Sequence, residues 1–365
     1  MAYRILAVNP GSTSTKIALF EDDHKVMARN IAHPPQELSA FQNVWEQQAY
    51  RQRTLISFLS ENDLSLADCD IIVARGGTTR PISGGIYDIT LEMLADMKSG
   101  RYGTHPTNVG CHIAFELGKR YRKPVICVDP PVTDEMCPVA KYTGIPEIRR
   151  QSSFHALNQK AIARKLAADL GKNYSDINVI ICHLGGGISV GAHQGGRVVD
   201  VNNALNGDGP FSPERAGGIP AASLVELCFS GEYEKGAILK KLTGQGGLTA
   251  HLGTADCLEI IERIGSGDQR AAEVLDAMCY QIAKEVGAMA AALRGKVDGI
   301  GLTGSLAHAE YIVSKLKTHI SFIAPVYLYQ GENEMEAMAA GALRYLRKEE
   351  EPKHYTGQQD DNNAC

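Results

Sequence analysis

The sequence lacks several features that would assign the chain to a familiar class. It has no apolar run long enough to span a bilayer, and only a few apolar residues precede the first polar loop, which argues against a signal peptide. The nine cysteines form no CxxC pair and no dense framework, so we expect reduced, mostly buried thiols. The net charge of -5 lacks the basic balance of a nucleic-acid binder. These absences favour a cytoplasmic protein that binds neither nucleic acid nor membrane.

What the chain does contain is an ordinary globular composition, 44% hydrophobic and 22% charged over 365 residues, which suffices for two domains. Apolar runs at 5–8 and 17–20 flank a polar turn, and a third strand is predicted at 25–31. The same pattern returns in INVIICHLGGGISVGAHQGGRVVDVNNA, which predicts a structural duplication. Further predicted strands cover 70–74, 124–128 and 299–302, and predicted helices cover roughly 46–61, 91–98, 108–120 and 159–170.

Two turns of this duplicated pattern have the composition of an anion site. Residues 9–16, NPGSTSTK, combine Gly, hydroxyl side chains and Lys16, and residues 183–187, HLGGG, supply a similar backbone cradle. Exposed N–H groups of a tight turn bind anions, and Gly permits close approach. One such turn alone is better explained as an ordinary hairpin. Two at matching positions, with a third Gly turn at 303–305, favour phosphate binding.

The common nucleotide-binding signatures are absent. The chain has neither GxxxxGK[ST] nor a GxGxxG in a βαβ setting, and its Gly-rich turns run into predicted strands. Two phosphate hairpins and a third Gly turn instead suggest the actin-like ATPase plan, in which two ribonuclease-H-like domains close on a nucleotide.

Six stretches carry a family resemblance: VNPGSTSTK, ARGGTTRPISGGIYDIT, VDPPVTDEM, RRQSSFHALNQKAIAR, CHLGGGISVGAHQGGRVVDVNNALNGDGPFSPERAGGIP and GENEMEAMAAGALR. Through them the chain, up to about Arg347, resembles butyrate kinases within the acetate kinase group of actin-like phosphotransferases. The resemblance implies an α/β protein of two duplicated ribonuclease-H-like domains, 1–150 and 151–334, with a cleft between them. Helix 335–348 is expected to pack back on the first domain, and 349–365 to form a polar, mobile tail.

The reaction implied by the resemblance is carboxylate plus ATP giving acyl phosphate plus ADP, running in a fermenting cell towards ATP. A short-chain acid is already ionised at neutral pH, so it needs no general base. It needs cations that offset the repulsion between two anions. The resemblance assigns Arg75 to the substrate carboxylate and Arg215 to the transition state. Without it, both are more simply interpreted as solvated or ion-paired surface arginines.

The resemblance makes Asp129 the catalytic carboxylate, which orients Mg²⁺ directly or through water, although Asp at a strand end is also a common cap. It assigns His155 to the transferring phosphoryl group and makes His105 a weaker candidate near the substrate. The metal candidates are Asn9 and Glu334, because Mg²⁺ prefers oxygen ligands. The residues expected to hold the phosphates are Ser12, Thr13, Ser14, Lys16, His183, Gly185, Gly186, Gly187, Gly304 and Ser305.

Three departures from acetate kinase favour the butyrate branch. Acetate kinase has Asn at the position of Gly186 and FHGTSH where this chain has FHALNQ, and the stretch 253–256 aligns poorly. The expected partners are ATP or ADP, a short-chain carboxylate or acyl phosphate, and further copies of the chain. Three alternatives stay open: an acetate or propionate kinase, a non-catalytic actin-like ATP-binding switch, and a sugar kinase of the same superfamily.

Overall fold

The structure is a computed structural model that describes residues 2–206 and 208–356. Within these residues the chain forms two compact units, one of 2–133 with 333–356 and one of 134–332. Each unit contains one sheet flanked by helices, so the predicted α/β class is confirmed. No helix in the described part of the chain is long and apolar enough to cross a membrane.

The first unit is built on six strands: β1 (Arg4–Pro10), β2 (Ser14–Glu21), β3 (His24–Ala32), β4 (Ile71–Ala74), β5 (Ile86–Asp88) and β6 (Val125–Val128). Their order in the sheet is β3-β2-β1-β4-β6-β5. The first three strands form the predicted antiparallel meander, and β4 and β6 continue the sheet in parallel. The short edge strand β5 pairs antiparallel with β6 and was not predicted.

The second unit is built on five strands: β7 (Asn178–Leu184), β8 (Ile188–Gln194), β9 (Arg197–Val201), β10 (Gly299–Gly304) and β11 (Val326–Gln330). Their order is β11-β10-β7-β8-β9, with an antiparallel meander of β7 to β9 and parallel pairs from β7 through β10 to β11. The meander, the next parallel strand and the strand beyond it therefore match β1–β3, β4 and β6 of the first unit. This repeated order confirms the predicted duplication.

The helices in chain order are α1 (Pro35–Leu38), α2 (Gln48–Glu61), α3 (Leu91–Ser99), α4 (Pro106–Tyr121), α5 (Ala156–Asp169), α6 (Ala221–Phe229), α7 (Lys235–Leu242), α8 (Gly247–Leu252), α9 (Cys257–Gly265), α10 (Gln269–Ala292), α11 (Glu310–Ile320) and α12 (Glu334–Leu346). The predicted helices correspond to α2, α3, α4 and α5 within a few residues. Strand β4 is buried along its whole length because α4 and α12 both pack against it. Such all-apolar strands are typical of a sheet covered on both faces.

Helix α12 packs closely on the sheet of the first unit. A Cβ at Gly341 would lie 2.5 Å from a methyl group of Val128, so this contact requires glycine. The chain then continues along β5: Lys353 N–H donates to Ile86 O at 2.7 Å, and Tyr355 is buried. This part of the predicted tail is therefore packed against the sheet. Residues 357–365 of that prediction lie outside the described residues.

Buried thiols occur in both units. Seven cysteines are free in the described ranges, and of these only Cys228 is exposed. Burial raises the pKa of Cys69 to about 11 and that of Cys111 to about 12, which keeps both thiols protonated. Cys137 is also buried, with 5% of it exposed. Most cysteines of the described residues are therefore buried, as the sequence predicts.

Candidate active site

The first predicted phosphate loop is the hairpin turn between β1 and β2. Residues 11–13 form the turn, whose first N–H donates to Ser14 O at 2.8 Å. The two hydroxyl residues of the turn are exposed. Lys16 lies on β2 directly opposite Asn9 of β1. All predicted residues of this loop therefore lie at one end of one hairpin.

Arg75 follows β4, the strand next to β1, and only 8% of it is exposed. Its Nε donates to Glu334 Oε1 at 3.3 Å, and Asn9 Nδ2 donates to Glu334 Oε2 at 2.8 Å. Three residues predicted from distant stretches are thus in direct contact. The Nη1 atom of Arg75 is buried and has no hydrogen-bond partner among the described residues. Because a buried guanidinium N–H normally has an acceptor, this atom could bind an anionic ligand.

The side chains beside Arg75 also offer oxygen atoms that suit Mg²⁺. Asn9 donates through its nitrogen, which leaves its amide oxygen as a candidate ligand, and the Glu334 carboxylate lies next to it. Mg²⁺ prefers such oxygen ligands and usually keeps several waters and substrate phosphates. In the described residues, no group of three or more His, Cys, Asp or Glu side chains could hold a metal. The two side chains could therefore supply only part of a metal shell.

Asp129 follows β6 and is fully buried. Its Oδ1 accepts a hydrogen bond from Gly85 N–H at 2.8 Å, and its own N–H donates to Gly85 O at 2.9 Å. Its φ of 39° lies in the left-handed region, which is uncommon for a residue with a side chain and is enriched at functional sites. A Cβ at Gly76, beside Arg75, would lie 2.7 Å from Pro130, so the loops after β4 and β6 are in close contact.

His105 occupies the N-cap position of α4, where its Nδ1 lies 3.0 Å from Thr107 Oγ1. Desolvation lowers its pKa, and the positive charges of Arg75 and Arg51 lower it further. His105 therefore shares the electrostatic environment of these two arginines. Arg51 was not among the predicted site residues.

In the second unit, Arg215 lies against the second predicted phosphate turn, residues 185–187. A Cβ at Gly187 would overlap the Arg215 guanidinium, whose Nη1 donates to Ala204 O. Burial lowers the pKa of Arg215, whereas the neighbouring Glu214 raises it. Arginine nonetheless remains charged at neutral pH. The structure therefore places a partly buried cation directly on a turn of three glycines.

Two histidines stack beside this turn. The rings of His155 and His183 are 3.7 Å apart between centroids and 11° apart in orientation. His155 Nδ1 lies 2.9 Å from Ser189 Oγ, and His183 Nδ1 lies 2.8 Å from Asn158 Oδ1. Ser189 also accepts from Gln159 Nε2 at 2.8 Å. The two imidazole rings are therefore fixed by a buried polar network.

The third Gly turn adjoins the same strand end. Gly304 closes β10 with a φ of 92°, and a Cβ there would overlap the backbone of Leu184. Gly304 and Gly331 exchange two backbone hydrogen bonds of 3.1 Å. Ser305 follows, exposed, at the start of a short 3-10 helix. Within the second unit, the structure thus brings together the two Gly turns, Arg215 and the histidine pair.

Sequence reasoning missed the residues that position the predicted ones. Asn158 and Gln159 lie inside a motif of the family resemblance, where they mark a departure from acetate kinase. Ser189 and Gly85 carry no local signal, since each acts through contacts with a distant segment. Arg51 lies in the first turn of α2, in a stretch without any motif, where arginine is most simply interpreted as a surface residue.

Comparison with known proteins shows the family of this chain. The sequence profile of the acetokinase family matches residues 138–332, more than half of the 365-residue chain. The chain belongs to the acetokinase family. As a member of that family it is a carboxylate kinase, a phosphotransferase whose acceptor is a carboxyl group.

Solved structures of kinases share the fold of this acetokinase-family chain. The acetate kinase of Porphyromonas gingivalis has a TM-score of 0.74 at 18% identity, covering 95% of this chain and 100% of its own. The propionate kinase of Francisella tularensis subsp. tularensis SCHU S4 has a TM-score of 0.69 at 19% identity, and the match covers 93% of this chain and 98% of that kinase. The acetate kinase of Entamoeba histolytica has a TM-score of 0.70 at 16% identity, and the match again covers 93% of this chain and 98% of that kinase. These identities support the fold and leave the substrate open.

Proposed function

We propose that this kinase phosphorylates butyrate or a branched short-chain relative, with ATP and Mg²⁺, to give the acyl phosphate and ADP. The observation that carries the site assignment is the buried, unpartnered Nη1 of Arg75 beside Glu334 and Asn9, in the part of the chain that the structure describes. A carboxylate would satisfy this atom and the planar fork of the same guanidinium. The butyrate assignment rests on the motif departures from acetate kinase.

In the proposed reaction, one carboxylate oxygen attacks the γ-phosphorus of ATP in line with the leaving oxygen. An oxygen–phosphorus bond forms to the acyl group while the bond to the β-phosphate oxygen breaks, and ADP leaves with the electron pair. No proton moves, because the acid is already ionised. The protein contributes position and charge, as in other phosphoryl transfers.

Arg215 is the proposed transition-state cation. Charge develops over the equatorial oxygens of the transferring group, and a preorganised guanidinium stabilises it more than it stabilises the ground state. His155 is proposed to donate to the same group through Nε2, because its Nδ1 faces Ser189 Oγ. The glycines at 185–187 would let the nucleotide phosphates approach the backbone.

Mg²⁺ would neutralise part of the phosphate charge, with Asn9 and Glu334 as its proposed protein ligands. Asp129 is proposed to orient the metal directly or through water. Its carboxylate is fixed by Gly85, so it is already held in place before substrate binds. Arg75 holds Glu334 in place through its Nε, and its other nitrogens are proposed to bind the acid.

The main alternative is preference for acetate or propionate. One methylene in an apolar pocket discriminates by only about 1–3 kcal/mol, so overlapping substrates are expected. The test is acyl phosphate formation by the purified full-length chain, trapped as hydroxamate, with acetate, propionate, butyrate, isobutyrate and valerate. Butyrate or isobutyrate should give the highest kcat/KM. A highest value for acetate would reject the butyrate assignment.

The same assay separates catalysis from nucleotide switching. A non-catalytic ATP-binding module would bind ATP and form no acyl phosphate with any acid of the series. Omitting Mg²⁺ provides the matched control. A kinase of this type should lose activity when the metal is removed and regain it when Mg²⁺ or Mn²⁺ is added back.

A further inference from the structure

The hairpin turn between β1 and β2 is held from behind by Arg51 of α2. This arginine is only 1% exposed. Its Nη2 donates to Ser12 O at 3.2 Å, and its Nη1 donates to Ser14 O at 3.3 Å and to Thr15 Oγ1 at 3.2 Å. The remaining contact runs from Nε to Gln47 Oε1 at 3.0 Å. One guanidinium thus contacts Ser12 of the turn and Ser14 and Thr15, the first two residues of β2.

Every acceptor of Arg51 is neutral. No ion pair of this side chain occurs in the described residues. Burial lowers its pKa, but arginine stays protonated at neutral pH. A buried charge without a counter-charge is costly, and an anion bound on the other side of the turn would offset part of that cost.

The same contacts set the direction of the backbone N–H groups. Arg51 fixes the carbonyl of Ser12, and His33 N–H fixes the carbonyl of Thr13 at 2.7 Å. No cis peptide bond occurs in the described chain, and in a trans peptide the N–H points opposite to the preceding C=O. The N–H groups of Thr13 and Ser14 are therefore directed away from the two donors. Successive N–H groups on one side of a turn form an anion-binding concavity.

We propose that Arg51 is a positioning residue for a nucleotide phosphate at this hairpin: together with His33 it holds the turn so that the N–H groups of Thr13 and Ser14 face outward, and it supplies positive charge beneath them. The inference rests on the proposed function, because it takes an ATP phosphate as the anion. It differs from the roles of Arg75 and Arg215, since Arg51 faces the back of the turn and acts through it.

The experiment measures ATP·Mg²⁺ affinity by calorimetry, and steady-state KM for ATP and for butyrate, on the full-length chain. The variants are Arg51→Met and Arg51→Lys. Arg53→Met is the matched control, since Arg53 is an exposed arginine two residues further along the same helix. Methionine keeps the aliphatic length and the helix propensity while removing the charge.

Arg51→Met should weaken ATP binding and raise KM for ATP by about 10- to 100-fold, the range of hydrogen bonds that involve charged groups. The KM for butyrate should change less than about 2-fold. The KM for ATP of Arg51→Lys should lie between those of the unmodified chain and Arg51→Met, because lysine keeps the charge but loses the planar fork. A merely structural role would lower the folded fraction, and with it apparent kcat, at unchanged KM for ATP.

The inference is overturned if folded Arg51→Met, verified by circular dichroism, binds ATP as Arg53→Met does. If Arg51→Met does not fold, Arg51→Lys decides: a selective rise in KM for ATP supports the inference, and wild-type affinity rejects it. These outcomes are distinct from failure of the proposed function, in which the unmodified chain would bind no ATP or form no acyl phosphate.

Discussion

Gly187 lies against the guanidinium of Arg215, so close that any Cβ at this position would overlap Nη1. The backbone here is not in the left-handed region, so steric space alone demands glycine. A side chain at 187 must therefore displace Arg215 from the second phosphate turn. This contact joins the Gly-rich turn 185–187 to Arg215, two features that the sequence alone names only separately.

Gly187→Ala should lower kcat by about 10²-fold, the scale of losing one preorganised charged contact to the transition state. The reason is that the methyl group pushes away the guanidinium that would stabilise the transferring phosphoryl group. Steady-state kinetics on acyl phosphate formation measures the effect. Gly287→Ala is the control, because a Cβ at this helical position meets no atom within 4 Å. Equal kcat in both variants would contradict the assignment of Arg215.

The two predicted arginines should respond differently to lysine. Arg215→Lys keeps the charge but loses the planar fork, so kcat should fall by roughly 10²-fold or more with a smaller change in KM. Arg75→Lys should mainly raise KM for the carboxylate, since its contact exists before phosphoryl transfer. Full kinetics with circular dichroism tests this. The same loss of kcat at unchanged KM in both variants would show that the division of roles is wrong.

The two meanders were predictable from the sequence because their signals are local. Apolar runs separated by Gly-rich turns indicate each meander, and both meanders were predicted. Strand β5 was missed because three residues, Ile86–Asp88, leave no periodicity. The long helix α10, Gln269–Ala292, was not predicted, because none of the motifs of the family resemblance covers this stretch.

The sequence names candidate site residues one by one, but it does not give the contacts between them. Motif matching named Asn9, Arg75 and Glu334 as separate candidates, whereas the structure joins them through one carboxylate. Residues such as Ser189 act by holding another side chain, and nothing in the local sequence encodes that partner. Positioning groups are therefore the part of a site that sequence reasoning cannot supply.

Ser189→Ala should lower kcat by about 10-fold without changing KM for ATP. Gln159 Nε2 donates to Ser189 Oγ, so the serine proton is available to His155 Nδ1 and keeps the Nε2 nitrogen of that ring protonated. Without the hydroxyl group, both tautomers become accessible and fewer molecules carry the donor on the reactive side. The test compares the pH profile of kcat in Ser189→Ala and in Ser189→Cys, which retains a weak donor. An unchanged profile and rate would remove Ser189 from the positioning network.

The stability of the first unit should fall below about pH 6.5, partly through His33. Desolvation first, and then the charge of Arg51, lower the pKa of His33, although Glu37 raises it. Because the folded pKa lies below the unfolded one, the unfolded state binds more protons as pH falls, and the stability present above pH 6.5 is lost. One such group contributes at most about 1.4 kcal/mol per pH unit. Urea unfolding between pH 5 and 7 should show a shallower pH slope for His33→Gln than for the exposed control His24→Gln. Identical slopes would contradict this role of His33.

Glu334→Gln should raise the Mg²⁺ concentration needed for half-maximal activity by about 10-fold, a typical loss on altering one ligand or its support. The amide keeps the size of the side chain and can still accept from Asn9 Nδ2, but it removes the negative charge that would face the metal and Arg75. Glu336→Gln is the matched control, because Glu336 lies in the same first turn of α12 yet pairs with Lys25 at the surface. Activity would be measured across a Mg²⁺ titration at fixed total ATP, and repeated with Mn²⁺, which binds oxygen sites more tightly in the usual metal order. Mn²⁺ should therefore restore more activity to Glu334→Gln than Mg²⁺ does. If Glu334→Gln and Glu336→Gln show the same metal dependence as the unmodified chain, Glu334 is not a metal ligand, and its carboxylate serves instead to hold Arg75 and Asn9 in place. A loss of kcat with unchanged metal dependence would point to that same structural role.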